Sequence, residues 1–191
     1  MDLKTNLANA IKVLTKTYES VDKLMKFCDV KAEEHGYEVT TERFLRYKSD
    51  VNYSGWLVDT FIKCYQDRND ESLDNDFRNG PLYSINIGLR DGEIYIGKYV
   101  YDGMPNWSKG ISPASYWVLD NPLCDDVKEF EIKEFNEEYM LSIPVNEEVA
   151  NKNYWGLKYV IYRMVNLEEV TGENAEQIVF ATFQELKKMS V

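Results

Sequence analysis

The chain has 191 residues, 44% hydrophobic and 14% aromatic, with a formal net charge of −11; it is long enough for one core and too apolar for bulk disorder. No apolar run approaches the ~18 residues of a membrane span, and the opening Met1-Asp2-Leu3-Lys4-Thr5 lacks a signal-peptide layout, so a cytoplasmic protein without membrane contact is expected. Cys28, Cys64 and Cys124 are widely separated and His35 is the only histidine, which speaks for reduced thiols and against a Cys/His zinc site.

The first element is a long amphipathic helix over residues 2–28. Leu3, Leu7, Ala10, Leu14, Thr17, Val21, Leu24 and Cys28 alternate steps of four and three, while Ile11, Tyr18 and Met25 widen the stripe. A stripe of this width suits covering a sheet, and the same heptad register admits a homodimer through the helix. Gly36 follows as its C′ residue. Imperfect alternation predicts a strand within Tyr37–Lys48. Ser54 then caps a helix predicted over 55–66, with Trp56, Leu57, Thr60, Phe61, Cys64 and Tyr65 on one face. The polar stretch Gln66 to Asn79 reads as a long exposed loop.

A β region is expected over 82–144. Tyr83–Leu89 and Glu93–Tyr101 flank Arg90-Asp91-Gly92, whose Asp-Gly pair supplies the positive φ of a tight hairpin. Beyond a turn-rich loop, Asp102 to Pro113, strands are expected at Tyr116–Leu119, Lys128–Phe135 and Tyr139–Ile143. Helices close the chain over 147–189. Asn146 with Glu147 and Glu148 starts one carrying Trp155, Tyr159, Tyr162 and Val165, and Asn174 with Gln177 resembles a capping box for the last. The expected architecture is a single α+β domain spanning 1–191, an antiparallel sheet of about five strands packed by the N-terminal helix and two C-terminal helices.

Two segments hold the whole net charge. Residues 66–79 contribute −3, and residues 120–148 contribute −8, setting ten carboxylates against Lys128 and Lys133. A field concentrated in this way steers a basic partner and repels nucleic acid and anionic membrane. The candidate partner-binding residues are therefore Asp125, Asp126, Glu129, Glu131, Glu134, Glu137 and Glu138. A second candidate is aromatic. Tyr95, Tyr99 and Tyr101 share a strand face, over which the loop bearing Met104 and Trp107 can fold, with Trp117 nearby, to make either core or a ligand groove.

Catalytic patterns are weak. The acidic loop counted from Asp70 has Asn75 where an EF-hand needs Gly and Pro81 where it needs Glu. Glu131-Ile132-Lys133 with Asp125 or Asp126 upstream sketches a metal-dependent hydrolase or nuclease, but the surrounding negative charge would repel phosphates. His35, beside Glu33 and Glu34, reads as a helix-end residue rather than a general base. No Gly-x-Ser-x-Gly elbow, Walker loop or dinucleotide fingerprint is present. The sequence thus points to a non-enzymatic cytosolic interaction protein, inhibitor- or immunity-like in profile, that binds a basic protein partner and uses no cofactor. A small-molecule-binding domain and a metal-dependent hydrolase are the alternatives.

Overall fold

A computed structural model of the chain describes residues 2–108 and 111–191. These residues form, in order, α1 (Leu3–Glu34), β1 (Tyr37–Val39), β2 (Thr60–Asp67), β3 (Leu82–Gly88), β4 (Glu93–Tyr101), α2 (Trp117–Asp120), β5 (Phe130–Glu134), β6 (Met140–Pro144), α3 (Glu147–Asn153), β7 (Leu157–Asn166) and α4 (Thr182–Lys188). The seven strands make one sheet, β1-β2-β3-β4-β7-β6-β5, with every neighbouring pair antiparallel. The α+β class matches expectation; the strand count is seven, not five. Among the described residues no helix is long and apolar enough to cross a membrane.

Several elements differ from the sequence reading, for one recurring reason. The helix predicted over 55–66 is instead a short 3-10 turn, Tyr53–Gly55, followed by strand β2. From Phe61 to Asp67 every residue of β2 is buried, so its sequence lacks the polar alternation that marks a half-exposed strand. Trp56 and Leu57, which completed the helical spacing, lie exposed ahead of it. The helix expected beyond residue 147 likewise stops at Asn153, and Trp155, Tyr159, Tyr162 and Val165 belong to a turn and to β7, a strand paired on both sides. Tyr116–Leu119 is helical, not extended. Only Tyr37–Val39 of the Tyr37–Lys48 stretch is strand, with Leu45 bridging to Ile62.

Local signals of turn chemistry hold. Asp2 caps α1 by accepting from the Thr5 amide at 2.8 Å, and Gly36 follows the helix at φ +79°. Gly92 closes the β3–β4 hairpin at φ +75°. Asn136 accepts from the Glu138 and Tyr139 amides to turn β5 into β6. Asn174, by contrast, bonds back to Thr171 and Glu169 rather than capping the last helix, which begins with a π turn at Gln177–Ala181 before α4.

The sheet is covered on both faces. On one, Val21, Met25, Cys28 and Ala32 of α1 join Phe180, Phe183 and Leu186 over Ile85, Ile87, Ile94, Ile96 and Ile161. The ammonium of Lys98 reaches through this layer from β4 and donates to the carbonyls of Leu186 and Met189 at 3.1 and 2.7 Å. Its desolvation lowers the Lys98 pKa. On the other face the irregular segment after β4 does the covering. Met104, Val118, Leu119, Leu123 and Tyr154 pack on Ile62, Leu82, Tyr99, Val160 and Tyr162.

The acidic stretch 66–79 is fastened to this second layer rather than freely solvated. Asn75 donates to the carbonyls of Met104 and Trp107, Phe77 is buried against the Trp107 ring, and Arg78 forks onto Glu38 at 2.6 and 2.8 Å. The three cysteines are free, Cys28 and Cys64 buried in opposite layers and Cys124 half-buried.

Candidate functional site

The acidic residues within 125–138 lie on and beside the edge strand β5, at the rim of the sheet, on both of its sides rather than on one face. β5 is the last strand of the sheet, paired only with β6. Side chains alternate along it, so Glu131, opposite Ile143, lies on the helix-covered side, whereas Glu134, opposite Met140, lies on the other. Glu137 and Glu138 sit exposed in the turn that follows, and Asp125 and Asp126 are exposed before the strand. Glu129 is committed internally: its carboxylate accepts from the Asn153 amide at 2.7 Å and from the Tyr154 hydroxyl, tying α3 to the rim. Lys133 pairs loosely with Glu131 at 3.9 Å. Among the described residues no three His, Cys, Asp or Glu side chains converge to hold a metal ion. Asp125, Asp126 and Glu131 thus do not form such a group.

The aromatic residues separate into four environments. Tyr99 is fully buried and donates to the Leu119 carbonyl at 2.6 Å, a core role. Trp117 packs edge-on against Tyr154. Trp107 does fold over the β4 face, edge-on to Tyr101 with ring centroids 4.6 Å apart, and donates to the Trp155 carbonyl at 3.2 Å. Together Trp107 and Trp155 line an open groove of about 780 Å³. Trp155 holds φ +56°, a left-handed backbone that is strained for a side chain of this size. Lys109 and Gly110, in the expected Asp102–Pro113 loop, lie outside the described residues.

Tyr95 leads elsewhere, to a cavity of about 270 Å³ at the hairpin end of the sheet. Its walls are Asp59 before β2, Asn86 and Gly88 on β3, Arg90 and Asp91 in the hairpin turn, Tyr95 on β4, and Tyr116, Asp120 and Cys124 from the α2 region, with Tyr47 at the side. Hydrogen bonds hold several of these walls. Asn86 donates to the Leu119 carbonyl at 3.1 Å, anchoring α2 over the sheet. The Tyr95 hydroxyl donates to Asp91 at 2.7 Å, and Arg90 donates to Asp59 at 2.6 and 3.0 Å. Gly88 makes room for the turn, because a Cβ there would lie 2.2 Å from the Asp91 carboxylate.

Asp120 stands apart. Its carboxylate, on a half-buried residue, has no hydrogen bond or ion pair among the described residues. Burial, reinforced by the charges of Asp59 and Asp91, raises its pKa to about 6. The neighbouring Cys124 thiol is pushed up to about 12, first by burial and then by Asp120, Asp126, Asp91 and Asp125. Asp125 and Asp126 of the rim thus lie within electrostatic reach of the pocket wall, and the two acidic features join. The sequence reading missed Asp59, Asp91 and Asp120 as a group because they come from three separate segments; Asp91 was legible only as a turn residue. Perturbed carboxyls facing a cleft are a functional-site signal that only the fold assembles.

His35 stacks on Phe180 and bonds Glu176 at 3.0 Å, across the helix-covered layer rather than to its sequence neighbours Glu33 and Glu34. No protein-family model matches the chain, and no match was found among curated proteins or solved structures.

Proposed function

We propose that the protein binds a basic protein partner, seating a lysine or arginine side chain against Asp120 while Asp125, Asp126 and the acidic rim steer its approach. One observation carries this reading: a half-buried carboxylate without a partner faces a cavity in which Asp59, Asp91 and Asp120 outnumber the single base, Arg90. A partly desolvated charge beside two like charges is costly, and an incoming cation would reduce that cost. The lining tyrosines Tyr47, Tyr95 and Tyr116 suit the same guest, since aromatic faces attract ammonium and guanidinium groups. The exposed rim acts at longer range, where it raises the association rate more than the affinity.

The test is affinity capture from cytosol of the source organism at low and high salt, comparing wild type with an Asp120→Asn/Asp125→Asn/Asp126→Asn variant. A stoichiometric basic protein that binds wild type at low salt, and is lost both at high salt and with the variant, is expected. Capture that is indifferent to these three carboxylates would overturn the assignment. A second reading rests on the groove of Trp107 and Trp155, whose size and strained Trp155 backbone suit a small molecule. That reading predicts a ligand-dependent change in tryptophan fluorescence that is insensitive to salt.

A further inference from the structure

The first half of α1 has no cover. Residues 2–13 are all exposed, and Leu3, Leu7, Ile11 and Val13 stand 73, 54, 65 and 65% accessible. The helix meets the rest of the molecule from Tyr18, whose ring packs edge-on against Phe61 and whose hydroxyl donates to the Val58 carbonyl at 2.6 Å, and its first fully buried residue is Val21. A helical stretch of this length is marginal in water without tertiary support. Yet the chain starts it deliberately, with the Asp2 cap at its far end.

The charges on this stretch are segregated. In the heptad set by Leu3, Leu7, Ala10 and Leu14, the residues Lys12, Lys16 and Glu19 fall on the side away from that seam, and Asn6, Ile11 and Val13 flank it. Only Lys4 interrupts the uncharged face. At the base of the projecting segment lies an apolar groove of about 480 Å³, walled by Thr17, Val21, Leu24 and Phe27 of α1 and by Leu167 and Val170.

We infer that these two unpartnered features cover each other in a second copy of this chain. The two α1 helices pair antiparallel about a two-fold axis, and each lays its Leu3–Leu14 stripe along the other's groove. An isologous contact of this kind closes both surfaces at once. Four aliphatic side chains contribute on the order of 400 Å² per copy, so with the groove walls the pair reaches about 1,000 Å², the size a stable interface needs. The antiparallel sense also keeps the two bodies, each of formal charge −11, at opposite ends of the helix pair.

The experiment is sedimentation equilibrium of the full chain across a concentration series, with wild type beside a Leu7→Glu/Ile11→Glu variant. Both replaced side chains are more than half exposed in the single chain, so the sheet remains intact, and an unchanged thermal midpoint at low concentration checks this. Wild type should sediment at twice the 22.4 kDa chain mass and the variant at the single mass. A wild type that stays monomeric, or a dimer indifferent to the two glutamates, would overturn the inference. A nitroxide at Thr5→Cys, in a Cys124→Ser background, then reads the sense of pairing. Antiparallel helices hold the two labels about 25–30 Å apart, and a separation under about 15 Å would rule that arrangement out.

Discussion

The two faces of the sheet are covered by different materials. α1 and α4 close one with regular, periodic side chains, and Phe183 there touches Tyr37, Tyr65, Tyr83 and Phe180 in a layer whose buried charges include the paired Lys63 and the carbonyl-bound Lys98. The other is closed by short helical turns and loops, so its polar groups are satisfied one by one, by Asn75, Asn86, Trp107 and Tyr99 bonding to carbonyls. The helical layer gives stability by close packing. The irregular layer leaves clefts, and both the Asp120 pocket and the Trp107–Trp155 groove lie in it.

That contrast can be broken or sharpened by substitution. The largest effect is expected from Phe183→Ala, a loss of about 3–5 kcal/mol in urea unfolding, because a fully buried ring leaves a cavity that helix and sheet cannot collapse. An effect below about 1 kcal/mol would mean that the helical layer is loosely packed. On the irregular side, Gly156→Ala should cost about 2–3 kcal/mol, since Gly156 holds φ +83° and its Cβ would lie 2.3 Å from the Asp102 carbonyl oxygen. Its thermal midpoint should fall together with a change in Trp155 fluorescence.

Asp120→Asn should act in the opposite direction. The folded pKa, about 6, stands above the ordinary 3.8, so the folded chain holds this proton more tightly and loses stability as pH rises through that interval. Removing the ionisable group should stabilise the protein by about 1–2 kcal/mol at pH 7.5, allowing for partial solvent access, and by nothing below about pH 4. Denaturation at the two pH values measures the difference; a pH-independent gain would mean that Asp120 carries no uncompensated charge. Arg90→Ala should do least. Its side chain is 78% exposed, but Asp59, 17% exposed, loses its partner, so a loss of about 0.5–1 kcal/mol in the unfolding free energy is expected.

The same division governed what the sequence disclosed. α1 and the β3–β4 hairpin were legible because a half-covered helix keeps its period and Asp91-Gly92 names its own turn. β2 and β7 were not, because Phe61–Tyr65, its Lys63 included, and Val160–Tyr162 are buried without interruption, and a strand buried on both sides shows no apolar–polar alternation. The rim residues could be counted from sequence, but their partition between two sides of β5 depended on register, and Glu129's inward bonds depended on where α3 would dock. Asp59, Asp91 and Asp120 meet only once β2, the hairpin and α2 are assembled, so no local pattern could announce them.

Lys98 has a consequence for motion. The last carbonyls of a helix ordinarily face water and open first, but Leu186 and Met189 are held by an ammonium planted in β4, 88 and 91 residues earlier in the chain. The end of α4 therefore cannot fray without stranding a charge inside the core. Amide exchange in its final turn should follow global opening of the sheet rather than the rapid local breathing usual for a chain end.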